Sequence, residues 1–285
     1  MGKIRTVLEL TRIEHSAMLA IAVIAAEQIS GGLPQPTILL LSLMAPIFIS
    51  MGAFAINDYF DIEVDRLNRK RRPLVRGDMT PQGALRITAA SMVIGIIAGF
   101  MINTYCAAIA ILFAVVSLLY SYRLKALPMI GNAYIAFAMA IPFLFGNYAV
   151  TNLANPAVLV IFSMIFVSGL AREINGTMRD YEGDIRARGA NTLPKLVGPE
   201  RAGHMALALY IVAAAVSAYL FAFMPPFMHN LAYGLPILVA DVMLLYSGMS
   251  FARGKRRLYD KLRNVSLAGM LLALICILIS SVLYI

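Results

Sequence analysis

Asn57, Asp58, Asp61 and Asp65 stand 1, 3 and 4 residues apart in the stretch INDYFDIEVDRLNRKRRPLVRG, residues 56–77. If the apolar run before them continues as helix, Asn57, Asp61 and Asp65 share one face at i, i+4 and i+8, with Asp58 beside them. Like charges four apart destabilise a helix by roughly 0.2–0.5 kcal/mol per pair. Something positive is therefore expected to neutralise them, either the flanking arginines or a bound divalent cation. A second pair, Asp180 and Asp184, is again four apart, in REINGTMRDYEGDIRARGANTLP, residues 172–194. Mg²⁺ favours a few carboxylates plus phosphate oxygens of a substrate over a cage made wholly of protein. Each Asp pair could hold one ion, and two ions could clamp a diphosphate whose remaining charge falls to neighbouring Arg and Lys. One such pair at a membrane border is usually a solvated loop; two, each followed by an Arg-rich stretch, favour a site. A calcium loop would need DxDxDG and a nucleotide loop GxxxxGK[ST], and neither occurs.

The elements that position these acids are apolar. The chain of 285 residues is 60% hydrophobic and 14% charged, with a mean hydropathy of +0.79, whereas a soluble domain is about one-quarter charged. The apolar residues come in blocks at 15–31, 38–57, 84–103, 105–121, 129–149, 156–173, 203–223, 229–250 and 264–284. Each is long enough to cross a hydrocarbon core as helix, and the runs are continuous rather than alternating, which excludes a β-barrel. The expectation is an all-α integral membrane protein with nine transmembrane helices in one bundle, residues 1–285 forming a single domain. Lys3 and Arg5 before an apolar stretch resemble a signal peptide, but Arg12, Glu14 and His15 interrupt it, so the first block reads as a helix of the series.

Numbering the loops along the chain puts all 24 Lys and Arg on one side. That asymmetry predicts a cytoplasmic N-terminus, a multi-pass protein of the cell membrane and a site near the cytoplasmic face. The net charge of +9 then belongs to one membrane face, and RGKRRLYDKLR, residues 253–263, reads as attraction to anionic membrane lipid. No soluble domain is left to present a groove, so nucleic acid is not an expected partner. Cys106 and Cys276, with His15, His204 and His229, form neither a disulfide framework nor a zinc spacing.

NDYFDIEVD and the pair Asp180–Asp184 resemble the NDxxDxxxD and DxxxD signatures of the UbiA superfamily of intramembrane prenyltransferases, and YSYRLK, residues 120–125, agrees. The resemblance spans Arg12 to about Gly198 and implies that Mg²⁺ grips a prenyl diphosphate whose tail lies in the bilayer. It implies metal ligands at Asp58, Asp61, Asp65, Asp180 and Asp184, organised with Asn57. Arg72 and Lys125 would contact the diphosphate and, with Asn57 and Tyr120, make up the catalytic set. Arg12, Arg69 and Arg188 would bind substrate. LKALPMIGN and EGDIRARGANTLP are most similar to the archaeal ether-lipid branch of that superfamily. This implies a lipid-soluble glyceryl phosphate acceptor and a geranylgeranyl donor. Ala126, where enzymes acting on 4-hydroxybenzoate tend to carry Arg, argues against a benzoate acceptor. Gly176-Thr177 is a departure, since relatives of the ether-lipid branch often have Lys-Asp there.

Other readings are an aromatic or quinone-precursor acceptor within the same superfamily, and a secondary transporter. Transporters hold their ionisable groups near the bilayer midplane, where only Asp241 is placed here, whereas the Asp motifs sit at one interface. A CDP-alcohol phosphotransferase would need a DG-x2-AR-x8-G-x3-D-x3-D pattern that neither cluster supplies. Asp241 and Glu27, both within apolar blocks, read equally as functional or hydrogen-bonded structural acids. Pro46 and Pro142 are expected to bend their helices.

Overall fold

The computed structural model describes residues 2–67, 69–188 and 192–283, and over 180–188 the backbone alone. A short helix α1 (Lys3–Leu10) precedes α2 (Ile13–Ser30) and α3 (Pro36–Phe60). Two short helices, α4 (Ile62–Leu67) and α5 (Pro73–Arg76), lead to α6 (Pro81–Ile102) and α7 (Thr104–Tyr122). Then come a 3-10 turn at Leu124–Ala126, α8 (Ile130–Val150), α9 (Pro156–Arg188) and α10 (Leu193–Val197). Helices α11 (Pro199–Phe223), α12 (Leu231–Ala252) and α13 (Tyr259–Leu283) complete the bundle. Among the described residues there is no strand, and nine helices are long and apolar enough to cross a membrane.

Local chemistry sets the helix ends. Proline opens α3, α6 and α11, where its missing N–H would have had no partner in any case. Thr80 caps α6 by accepting from the Gly83 N–H at 3.0 Å, and Asn103 caps α7 by accepting from the Cys106 N–H at 2.9 Å. Large apolar side chains such as Ile97, Phe100, Leu112, Leu235 and Leu238 are exposed on the outside of the bundle, as a lipid-facing surface requires. Inside, small residues let the helices approach closely, because lipid offers no hydrophobic gain from helix association. Gly146 of α8 illustrates this, since a Cβ there would lie 2.5 Å from the Val23 carbonyl oxygen of α2.

The structure departs from the sequence expectation at three places. Helix α9 does not end near residue 173 but runs to Arg188, carrying the second Asp pair on its last turns. Helix α1 is an additional element at the basic end, burying Thr6 and Leu10 while Ile4 stays exposed. The acidic motif is not one unbroken helix, for α3 stops at Phe60 and α4 begins at Ile62. The hydrogen-bond ladder nevertheless crosses the break, Asp61 N–H donating to Asn57 O at 3.1 Å and Asp65 N–H to Asp61 O at 2.7 Å. The expected stacking of Asn57, Asp61 and Asp65 along one line therefore survives.

Helix α1 is pinned in place by charge as well as by Leu10. Arg76, at the end of α5, donates to both carboxylate oxygens of Glu9 at 2.8 and 2.9 Å and to Asp78 Oδ2 at 2.8 Å. The bidentate pair holds the Glu9 carboxyl below its usual range and the Arg76 guanidinium above its own. This clasp fixes the turn into α2, where Arg12 takes the left-handed conformation with φ 48°.

Candidate active site

The three acids of the first motif are buried, Asp58 being 2%, Asp61 8% and Asp65 3% exposed. Each meets a cation from a different part of the chain. Arg12 Nη2 donates to Asp58 Oδ1 at 2.6 Å, and Lys125 Nζ, beyond α7, donates to Asp61 Oδ1 at 2.7 Å. Lys70 Nζ lies 3.0 Å from Asp65 Oδ1. None of these three contacts comes from the arginines flanking the motif that the sequence suggested: Arg12 lies 46 residues from Asp58, and the other two partners are lysines. Arg12 also sits over the Phe54 ring at 4.6 Å, a cation–π contact that fixes its direction. Burial pulls its guanidinium below the ordinary range, opposed by the Asp58 charge and assisted by that of Arg72.

Two cavities open from this cluster. One, of about 430 Å³, runs into the bundle between α2, α3, α7, α8, α9 and the last three helices. Its walls include Met18, Phe113, Phe143, Phe145 and Ile277, and Pro46 and Pro142 both face it. The other, of about 520 Å³, is polar and lies between α4, the turn at Leu124–Ala126, α8, α9, α10 and α13. Asp61, Lys70, Lys125, Arg179 and Arg263 line it. Tyr120, Ile135, Arg172 and Glu173 line both cavities and so mark their junction. Tyr120 stacks on Tyr134 with ring centroids 4.2 Å apart, and Arg172 Nη1 donates to Glu173 Oε1 at 2.9 Å.

The residues singled out from sequence fall into six groups. Asp61, Lys125 and Tyr120 line the polar cavity, Asn57 and Arg12 line the apolar one, and Asp58 and Asp65 lie behind them in ion pairs. Arg72 caps α5 and acts electrostatically on both Arg12 and Asp58. Arg69 is exposed and lines neither cavity. Asp180, Asp184 and Arg188 belong to the end of α9, where side chains lie outside the described residues. Helix α4 packs against α9, which brings the elements bearing the two motifs together. Sequence reasoning missed Arg172 and Glu173 as site residues. A charged pair placed just ahead of the second motif was the available signal.

A divalent cation fits this donor set. The Asp58 carboxylate keeps a buried Oδ2 with no hydrogen-bond partner, a hard oxygen of the kind Mg²⁺ prefers. Among the described residues no three His, Cys, Asp or Glu side chains converge into a complete metal cage. An ion that takes much of its shell from phosphate oxygens and water does not need one.

The chain resembles known proteins over nearly its whole length. The model of the UbiA prenyltransferase family matches residues 17–275. A digeranylgeranylglyceryl phosphate synthase of Archaeoglobus fulgidus is 34% identical over 275 residues, covering 95% of this chain and 94% of that protein. The synthase of Methanopyrus kandleri is 36% identical over 283 residues, covering 97% and 99%. A solved structure of digeranylgeranylglyceryl phosphate synthase superposes with a TM-score of 0.82 at 26% identity, covering 99% of each chain. A UbiA homologue from Archaeoglobus fulgidus bound to GPP and Mg²⁺ shares the fold, with a TM-score of 0.67 at 21% identity over 95% of this chain and 99% of that one. With the family model spanning nearly the whole bundle, and buried acids and bases gathered where a polar and an apolar cavity meet, this chain belongs to the UbiA prenyltransferase family.

Proposed function

We propose that this protein transfers a geranylgeranyl group from its diphosphate to the free hydroxyl of geranylgeranylglyceryl phosphate, with Mg²⁺, as one membrane-embedded catalytic unit. The observation that carries the reading is the junction itself: charged groups for a diphosphate open directly onto an apolar cavity for its tail. Identity of 34–36% to digeranylgeranylglyceryl phosphate synthases over nearly the full chain supports that choice of acceptor. The one-sided distribution of basic loops supports a site in the cytoplasmic half of the cell membrane.

In this reading Asp58, Asp61 and Asp65, with Asn57 and the pair Asp180 and Asp184, hold the metal. Bound Mg²⁺ would supply Lewis-acid neutralisation of the diphosphate oxygens. Lys125 and Arg72, assisted by Arg12, Lys70 and Arg188, stabilise the electron pair that the diphosphate oxygen takes when the C1–O bond breaks. Arg69, at the exposed rim, adds only to the field that draws the diphosphate in. The allylic cation left behind lies at the junction, where the stacked faces of Tyr120 and Tyr134 present π density. Phe113, stacked on Tyr134, keeps water from that carbon, and Phe143 and Phe145 line the deeper space for the tail. The acceptor oxygen then forms the new C–O bond to C1 and gives its proton to the departed diphosphate.

The test uses purified protein in lipid with labelled geranylgeranyl diphosphate and Mg²⁺. Geranylgeranylglyceryl phosphate and a panel of aromatic acceptors are offered in parallel, each with an EDTA control. EDTA-sensitive labelling of the glyceryl phosphate is expected. Labelling of an aromatic ring alone would overturn the acceptor while leaving the metal-dependent chemistry in place.

A further inference from the structure

The polar cavity carries more hydrogen-bonding capacity than the acidic motif and its cations use. Asn175 of α9 is 4% exposed and lines this cavity, yet neither its Oδ1 nor its Nδ2 has a hydrogen-bond partner. Asn132 Nδ2 on α8 and Thr192 Oγ1 at the start of α10 line the same cavity, are buried, and also lack partners. Buried polar groups are nearly always paired, so three such residues on three separate elements around one space indicate a ligand. The space beside Asn175 is open, because a Cβ built on Gly176 would meet nothing within 4 Å. Tyr210, buried beneath, stands next to Asn175 and Ser266 without a hydrogen bond of good geometry to either.

The donor and acceptor types narrow the ligand. A diphosphate only accepts hydrogen bonds, so it would leave the Asn175 carbonyl oxygen unsatisfied. A ligand with a hydroxyl as well as an anionic phosphate satisfies all three groups, and Arg263 on the same wall supplies a cation for the phosphate. The acids facing the cavity do not oppose an anion there, since Asp61 is engaged by Lys125 and Glu173 by Arg172.

We propose that Asn132, Asn175 and Thr192 form the acceptor subsite, recognising the hydroxyl-bearing glycerol phosphate head, with the Asn175 carboxamide oxygen accepting from the nucleophilic hydroxyl. This rests on the function proposed above. The diphosphate then occupies the Asp61–Lys125 side of the cavity and the acceptor the α9–α10 side. Asn175 is a specificity and positioning residue.

The experiment measures both substrates' KM for the full chain in lipid nanodiscs, comparing wild type with Asn175→Leu, Asn175→Ser and Thr192→Val. Asn175→Leu is expected to raise the acceptor KM about tenfold or more while the geranylgeranyl diphosphate KM stays within about twofold, since an unmet polar group discriminates strongly. Asn175→Ser, which keeps a hydroxyl at the site, recovers part of that loss, and Thr192→Val raises the acceptor KM about threefold. An unchanged acceptor KM in Asn175→Leu, or an equal rise in both KM values, overturns the subsite. Where Asn175→Leu fails to fold, Asn175→Ser and Thr192→Val decide by the same split. The wild-type arm separates the two proposals: no transfer to the glyceryl phosphate overturns the function, whereas transfer that Asn175→Leu does not impair overturns only the subsite.

Discussion

The apolar cavity of about 430 Å³ and the polar cavity of about 520 Å³ meet at Tyr120, Ile135, Arg172 and Glu173. On one side the walls are mostly Phe, Met, Ile and Ala, with Asp241 the one lining acid away from the junction; on the other, cations outnumber carboxylates. The acids in these two surroundings are held differently. Asp58 and Asp61 each meet a formal cation, whereas Asp241 is held by Ser217 Oγ at 2.5 Å and Glu27, buried in the last turn of α2, by Ser42 Oγ at 2.5 Å. An acid paired with a cation can exchange that partner for a metal ion or give the cation up to a phosphate. An acid held by one hydroxyl in an apolar surround has no such exchange available. Reactivity therefore concentrates at the junction rather than wherever the bundle contains a carboxylate.

The comparison breaks most sharply at Asp61. Asp61→Ala removes the partner of Lys125 and a carboxylate at the cavity mouth, and turnover in lipid is expected to fall by about 10³-fold or more. Circular dichroism should be unchanged, because the helical ladder around residue 61 uses backbone groups alone. Retained turnover would remove the acids from the mechanism. Lys125→Met removes the ammonium that Asp61 accepts from and should lower kcat by about 10²-fold, close to the loss of one preorganised donor. A change confined to KM would reduce Lys125 to a binding role.

Two weaker perturbations sharpen the division between the cavities. Ala138→Phe fills part of the apolar cavity without touching the charged groups. It should raise KM for geranylgeranyl diphosphate about tenfold while leaving a five-carbon donor within about twofold, as expected for lost burial of a long tail. Equal effects on both donors would mean that the tail lies elsewhere. Arg69→Ala, at an exposed residue outside both cavities, should change turnover by less than about threefold, with a loss that vanishes at high salt because surface fields are screened.

Much of this was legible in the chain itself. Among the described residues the nine apolar blocks correspond to nine helices, because a run long enough to cross a hydrocarbon core satisfies its backbone as helix. The first block, expected at 15–31, is Ile13–Ser30, and the last, expected at 264–284, is Tyr259–Leu283. Hydropathy sees only the continuously apolar part of a helix, which is why the block at 156–173 stops short of the end of α9 and why α1, eight residues with Lys3, Arg5 and Glu9 among them, forms no block of its own. The acidic motif was readable because helical spacing alone puts Asn57, Asp61 and Asp65 in line. Its partners were not, since Arg12 and Lys125 lie 46 and 64 residues away from the acids they neutralise. Asn132, Asn175 and Thr192 gave no signal at all, because nothing in a residue's identity says that it is buried without a partner.

The sequence by itself thus determined the membrane helices, the end of the bundle that bears the charge and the residue types able to handle a diphosphate. Each of these follows from local composition and from a period of 3.6 residues. Only the tertiary structure decided which cation faces which acid, where the polar and apolar spaces join and which polar groups are left waiting for a ligand. Those depend on how α3, α8 and α9 pack, and packing brings together residues whose separation along the chain carries no trace of their contact.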